Sequence, residues 1–390
     1  MRTSEPRTLF SSTHVVTDGA DFWQTILTGA GATTHLPNEA AVRLRCGTDS
    51  GDAVVRQTYR YFPYIPGKSQ LIFLTGTVGD ETDGVRKRWG YFDSADGLFW
   101  EQTAAGVSVV RRSSVTGSPV DVAVAQVGWN LDPCDGLSPS GITIDWATSQ
   151  VFVIDFAWLG VSRARMGVVI DGQVIYVHEW LNANVFPGVY MSRANLPVRY
   201  EIENLDDTEA ATDLLQICST VITEGGGESD LSTRIRTANN GTASVSVTTR
   251  RAVLSIRPAA TFNGRVNRGL IAPLDISLTN ISNQSVLVEV VRGGALGGTP
   301  SWSAVSPSSI VERDSAGTTV TGGEVIWSGY VVASSQNPGH VNLPIADLAK
   351  ADIPLTVDAA GANPVSLSVV VTSLGSAATV YAAMTWREVY

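Results

Sequence analysis

The chain has 390 residues, a net charge of −10, a hydrophobic fraction of 44% and a charged fraction of 16%. That length exceeds a usual domain, so two β-rich domains, or one with extensions, are expected. The acidic balance, with no basic block beyond Arg111-Arg112 and Arg250-Arg251, repels a phosphate backbone and excludes nucleic acid as a partner.

The opening "MRTSEPRTLFSSTHVV" lacks the charged-then-apolar layout of a signal peptide, and no apolar run reaches membrane-spanning length. No membrane partner is expected. Residues 1–40 are polar and loop-like and read as an arm or tether. From Ala41 strands dominate: "AVRLRC" and "AVVRQTYRYF" alternate, "SQLIFLTGTV" follows a Pro-Gly turn, and "WGYFDSADGLFWEQ" holds two aromatic strands about Asp-Gly. "VSVVRRSSV", "GITIDW", "VFVIDFAWL" and "VRYEIEN" continue the series. Short strands at regular spacing give a jelly-roll sandwich over 41–223. Residues 208–223 read either as a short helix or as a linker running into a strand. The break "EGGGESD" at 224–230 is the boundary candidate. Beyond it, 224–390 is again all strand, richer in Val, Ser and Thr. The fold class is therefore all-β, a concanavalin-like jelly roll followed by a second, smaller β-sandwich domain.

The stretch "RMGVVIDGQVIYVHEW", residues 165–180, reads as a hairpin about a two-residue turn at Asp171-Gly172. Alternation gives one core face of Met166, Val168, Ile170, Ile175 and Val177. Met166 is expected opposite Val177, and Arg165 opposite His178. The other face carries Gly167 across from Tyr176, with Arg163, Arg165, His178 and Trp180, so cations lie beside aromatic rings. It reads as a subunit or sheet contact, with a glycan face as the alternative. On the glycan reading Tyr176, Trp180, Trp158 and Trp100 are the stacking rings.

Signals for chemistry are sparse. Cys46, Cys134 and Cys218 read as three reduced thiols without metal spacing, and four scattered histidines make no zinc site. No cofactor is expected. Glu201 and Glu203 sit at i and i+2 on one strand, close to the roughly 5–5.5 Å that separates the carboxylates of a retaining glycosidase. Against that stands a plain solvated strand edge. Asp93, Ser94 and Asp96 offer oxygens for calcium, although Asp96-Gly97 makes a turn more simply. No nucleophile elbow or phosphate loop is present, and a non-enzyme is expected.

The stretches "VRLRCGTDSGDAVVRQTYRYFPYIPGKSQLIFLTGTVG", "RWGYFDSADGLFWEQ", "PSGITIDWATSQVFVIDFAWLGVSRARMGVVIDGQVIYVHEW", "LSIRPAATFNGRVNRGLIAPLD" and "ATVYAAMTWREVY" occur in this order. The order resembles a family of virion structural proteins of tailed bacteriophages, over residues 40 to 390, and most specifically from Arg56 to Asn204. The resemblance implies a non-enzymatic component on the outside of the particle: capsid decoration, head or collar fibre, or tail appendage. It implies virion localisation, with other virion proteins (capsid, neck or tail) and copies of the chain itself as partners, and a host surface glycan as a further one. It supplies no functional residue. A homotrimer is expected, because symmetric assembly covers exposed edges.

Overall fold

The computed structural model describes residues 5–137, 139–225, 233–332, 339–344 and 355–390. The chain divides into two compact units, Met1–Leu231 and Ser232–Tyr390. Most of the proposed break at 224–230 lies outside the described residues.

The first unit begins with β1 (Arg7–Thr13), β2 (Trp23–Thr28), β3 (Ala32–Leu36), β4 (Ala41–Cys46), β5 (Ala53–Thr58), β6 (Gln70–Thr77) and β7 (Val85–Phe92). It continues through β8 (Gly97–Thr103), β9 (Gly106–Ser113), β10 (Val120–Ala125), β11 (Ser149–Phe156), β12 (Ala164–Ile170), β13 (Gln173–Trp180), β14 (Val198–Asn204) and β15 (Thr212–Thr223). One sheet runs β13-β12-β11-β6-β15-β4-β3, with β1 also on β15; the other runs β10-β9-β8-β7-β14-β5-β2. This is the concanavalin-like jelly roll, all antiparallel. Within residues 208–223 the chain forms a strand, β15, which alternates inward Leu214, Gln216, Ser219 and Val221 with half-buried neighbours and so closes the space between β4 and β6.

The expected N-terminal arm needs correction. Residues 1–40 contribute three strands: β1 to β15, β2 to β5 and β3 to β4. Their Ser and Thr look loop-like, yet Leu9, Phe10 and Trp23 are buried in the core. Trp23 Nε1 donates to Ser12 Oγ at 2.9 Å, so the polar residues serve the packing.

Between the sheets lies an aromatic layer. Trp89 and Trp100 stack at 6.4 Å, and Phe152 from the facing sheet meets them at 5.1 and 5.3 Å. Tyr91 packs on Phe156 at 5.5 Å, and its hydroxyl donates to Phe62 O and Gln70 Oε1. Each aromatic pair adds roughly 0.5–1.5 kcal/mol beyond its buried area.

The hairpin about Asp171-Gly172 forms as expected. Both turn residues have positive φ, 51° and 75°, the conformation a two-residue turn of this hand requires. Val169 faces Val174, Val168 faces Ile175 and Gly167 faces Tyr176. The register then slips: Met166 faces His178, Arg165 faces Glu179 and Ala164 faces Trp180. Val177 is the extra residue of a β-bulge, which leaves Val177 and His178 together opposite Met166. His178 and Trp180 consequently turn toward the core.

The second unit packs a five-stranded sheet, built on Leu270–Asn280 and Ala378–Val389, against a six-stranded sheet built on Arg251–Pro258, Val286–Arg292 and Leu367–Ser373. Leu254, Ile256, Ile276, Leu278, Val288, Val369 and Trp386 form its core. It is the smaller β-sandwich.

Two buried histidines make this fold acid-sensitive. Burial, and then Arg56, pushes His14 down to about 4, and burial alone does the same to His178. The geometry agrees at His178, whose Nδ1 accepts the Asn130 N–H at 3.3 Å and so carries a lone pair. Neutral imidazole is favoured in the folded state, so stability is full above the unfolded value near 6.5 and falls as pH drops from there toward 4. Each histidine contributes on the order of 3 kcal/mol to that loss. Denaturant titration of the wild type and of His14→Gln and His178→Gln should show a pH dependence in this window that shrinks in each variant. Trp100→Ala should cost about 3–5 kcal/mol in the same assay at neutral pH.

Candidate functional site

The outer face of the seven-stranded sheet carries a charged groove, and strand alternation builds it. Along β7, Trp89 and Tyr91 point inward while Arg86, Arg88 and Phe92 point outward; along β14, Tyr200 and Ile202 point inward while Arg199, Glu201 and Glu203 point outward. Antiparallel register sets Glu201 opposite Arg88 and Glu203 opposite Arg86, with Glu101 of β8 on the other side of Arg88.

The side chains close the ladder. Arg88 Nε donates to Glu101 at 2.6 Å and Arg88 Nη1 to Glu201 at 3.2 Å. Arg199 Nε donates to the second oxygen of Glu201 at 2.7 Å, and Arg86 pairs with Glu203. Arg112 grips Asp121 of β10 with two parallel bonds of 2.7 and 2.8 Å. Burial pushes the Glu201 carboxyl up, but Arg199 and Arg88 more than offset it and hold the group below the usual carboxylate range. The same balance, with Arg112 as the main cation, holds Asp121 down.

The guanidiniums rest on an aromatic floor. Phe92 and Phe99 stack at 4.4 Å and, with Val110, form a small cluster hidden from solvent. Arg112 lies 5.0 Å from the Phe99 centroid, Arg88 5.5 Å, and Arg199 lies 5.3 Å from Phe92. Gly90 permits this: a Cβ there would come within 2.6 Å of Phe99 Cα and Cβ. The groove holds about 510 Å³ and is lined by these ions together with Ala53, Val55, Ser94 and Pro119. Glu201 stays ionised with its oxygens taken by Arg88 and Arg199, so it is a weak base and poorly suited to donate a proton. The face offers fixed charged donors beside fixed charged acceptors.

Of the residues singled out from sequence, Glu201 and Glu203 come together here. They belong to an interior strand with their charges paired, which replaces the expected solvated edge. The hairpin residues divide. Arg163 is exposed in the β11–β12 loop, while Arg165 pairs with Asp155 and lies 3.7 Å over the Tyr176 ring. The Tyr176 hydroxyl donates to the same Asp155 oxygen at 3.1 Å. His178 and Trp180 face inward because of the bulge, so these five residues do not share one surface. Trp100 is fully buried, and Trp158 is half-buried and donates to Met191 O. No ring platform for a sugar exists on that hairpin.

Asp93, Ser94 and Asp96 do not cradle calcium either. Asp93 Oδ1 accepts the Ala95 and Asp96 N–H groups, Asp96 accepts Ser114 N, Ser192 N and Ser192 Oγ, and Arg193 pairs with both acids. The protein itself occupies these oxygens. Among the described residues no group of three or more His, Cys, Asp or Glu is placed to hold a metal ion. The sequence reading assigns no site role to Arg86, Arg88, Arg112 or Arg199. The signal was an Arg-x-Arg run and a Glu-x-Glu run on strands that turn out to be neighbours.

No family model matches the chain, and no curated protein matches it. Solved structures share the fold. An endo-β-1,4-glucuronan lyase from Trichoderma reesei is 9% identical with a TM-score of 0.37, over 55% of this chain and 95% of that one. A β-glucanase from Bacillus licheniformis is 11% identical with a TM-score of 0.35, over 56% and 98%. Peanut lectin is 10% identical with a TM-score of 0.33, also over 56% and 98%. These likenesses speak to fold. They also correct the expectation of a non-enzyme, because a lyase and a glucanase are among the proteins built on this jelly roll.

Proposed function

We propose that the first unit binds a saccharide chain in the groove on its seven-stranded sheet. One observation carries this reading: charged donors and charged acceptors alternate across an open, pre-formed face, pinned by each other and by the Phe92–Phe99 floor. A polyhydroxylated ligand can donate to Glu203 and Asp121 while accepting from Arg86 and Arg199, and pays little for ordering them. An apolar cofactor would leave these ions desolvated without replacement partners. The setting we propose is the outside of a tailed-phage particle, as the sequence resemblance implies, where the glycan would belong to the host surface.

The test is retention of the full chain on an array of bacterial surface polysaccharides. Arg86→Ala and Glu203→Gln, both at the groove rim, should each weaken retention about tenfold or more, the size expected for losing a charged hydrogen bond. Tyr176→Ala, on the opposite sheet, should leave it unchanged. A reversed pattern, or no retained glycan, removes the reading. Assaying the bound glycan for new reducing ends, in wild type and Glu203→Gln, decides whether the paired acids also act chemically. For the setting, antibody against the chain should decorate intact particles; label found only in the soluble lysate would refute it.

A further inference from the structure

The charges of the groove are arranged in depth as well as across it. In the rim pair Glu203–Arg86 the carboxylate side chain is 38% exposed and the arginine 26%; in Asp121–Arg112 the values are 32% and 11%. Arg112 is drawn down onto the Phe99 ring, and Arg88 and Arg199, 10% and 15% exposed, rest on Phe99 and Phe92. A ligand entering the groove therefore meets carboxylate oxygens first.

The cations beneath are already engaged. Arg112 gives two nitrogens to Asp121 and the third to Asp93 O, and Arg199 gives two to Glu201 and the third to Gln57 Oε1. Arg88 divides its three among Glu101, Glu201 and, at 3.8 Å, Asp121. Arg86 pairs with Glu203, and its Nε is buried. The four guanidiniums thus stand against four carboxylates, Glu101, Asp121, Glu201 and Glu203, and the groove has no surplus charge for an ion of either sign.

A guanidinium recognises a carboxylate, sulfate or phosphate through two parallel N–H groups. To be held that way here, an anion would have to displace one of the protein's own acids and leave it without its partner, which is strongly unfavourable for a buried pair. It would also face Asp121 and Glu203 at the rim of a chain of net charge −10. An ammonium finds those two acids already neutralised at hydrogen-bond distance. A hydroxyl asks for less: one N–H to accept from and one carboxylate oxygen to donate to, which the pairs can share without parting. We propose that the saccharide bound in this groove is uncharged, a chain free of carboxylate, sulfate, phosphate and amine groups. The inference rests on the saccharide reading above and adds selectivity to it, with Asp121 and Glu203 as the residues that turn anions away.

The experiment is retention of the full chain on an array of bacterial surface polysaccharides laid out in pairs. Each uncharged glycan stands beside its sulfated derivative, each acidic one beside its carboxyl-reduced form, and each N-acetylated one beside its deacetylated, cationic form. Uncharged members should be retained, and their sulfated partners about tenfold less or weaker still. Raising the salt concentration about tenfold should change retention less than about twofold, because a neutral ligand has no charge to screen. Asp121→Asn removes a rim acid and frees Arg112, so it should bring the sulfated partner to within about threefold of the neutral glycan. Equal or stronger retention of sulfated or carboxylated glycans overturns the inference and leaves the saccharide reading standing. Retention confined to the deacetylated forms does the same, in favour of amine recognition. Retention of no glycan at all removes the saccharide reading and this inference together.

Discussion

The layer of rings between the two sheets of the first unit is the constraint on which the rest depends. Trp89, Trp100 and Tyr91 from one sheet press on Phe152 and Phe156 from the other. Burying them fixes which residues of β7, β8 and β14 point inward, and strand geometry then leaves their neighbours no choice but to point outward. The groove is thus the reverse side of the core. Arg88 stands where it does because Trp89 is buried next to it, and Glu201 because Tyr200 and Ile202 are.

The outward face shows how a sheet can hold charge without solvating it. A buried ion pair is weak evidence of stability, because desolvation offsets much of the attraction. Here Arg88, Arg112 and Arg199 each have two supports, a carboxylate partner and a phenyl ring, so little of their side-chain freedom remains to be lost on meeting a ligand. The Asp155–Arg165–Tyr176 group on the opposite sheet uses the same chemistry on a smaller scale. It closes on itself in three residues and leaves no extended face. Extent, more than composition, separates the two surfaces.

Alternation made much of the fold legible. The runs from Ala41 to Asn204 show inward apolar residues every second position, and the Asp171-Gly172 turn announces its own conformation. Strands β1 to β3 stayed hidden because polar residues fill most of their positions, leaving Phe10 and Trp23 as isolated clues. The bulge at Val177 escaped because an extra valine beside an apolar strand looks like more strand. It alone moved His178 and Trp180 to the core side. The groove could not be assembled from local pattern, since Arg88 and Glu201 are 113 residues apart and become neighbours only through the β7–β14 pairing.

The double edge of β15 has a kinetic consequence. Its twelve residues form the last strand of the unit, yet they pair with β4 and β6 and also with β1, the unit's first strand. During synthesis Leu9 and Phe10 therefore wait in water, and β4 and β6 each keep an unpaired flank, until Thr223 has cleared the ribosome. Closure of such distant partners is slow and leaves sticky edges open meanwhile. A nascent chain of this design spends its most vulnerable interval just before completing its first unit, which is when a holding chaperone would do it most good.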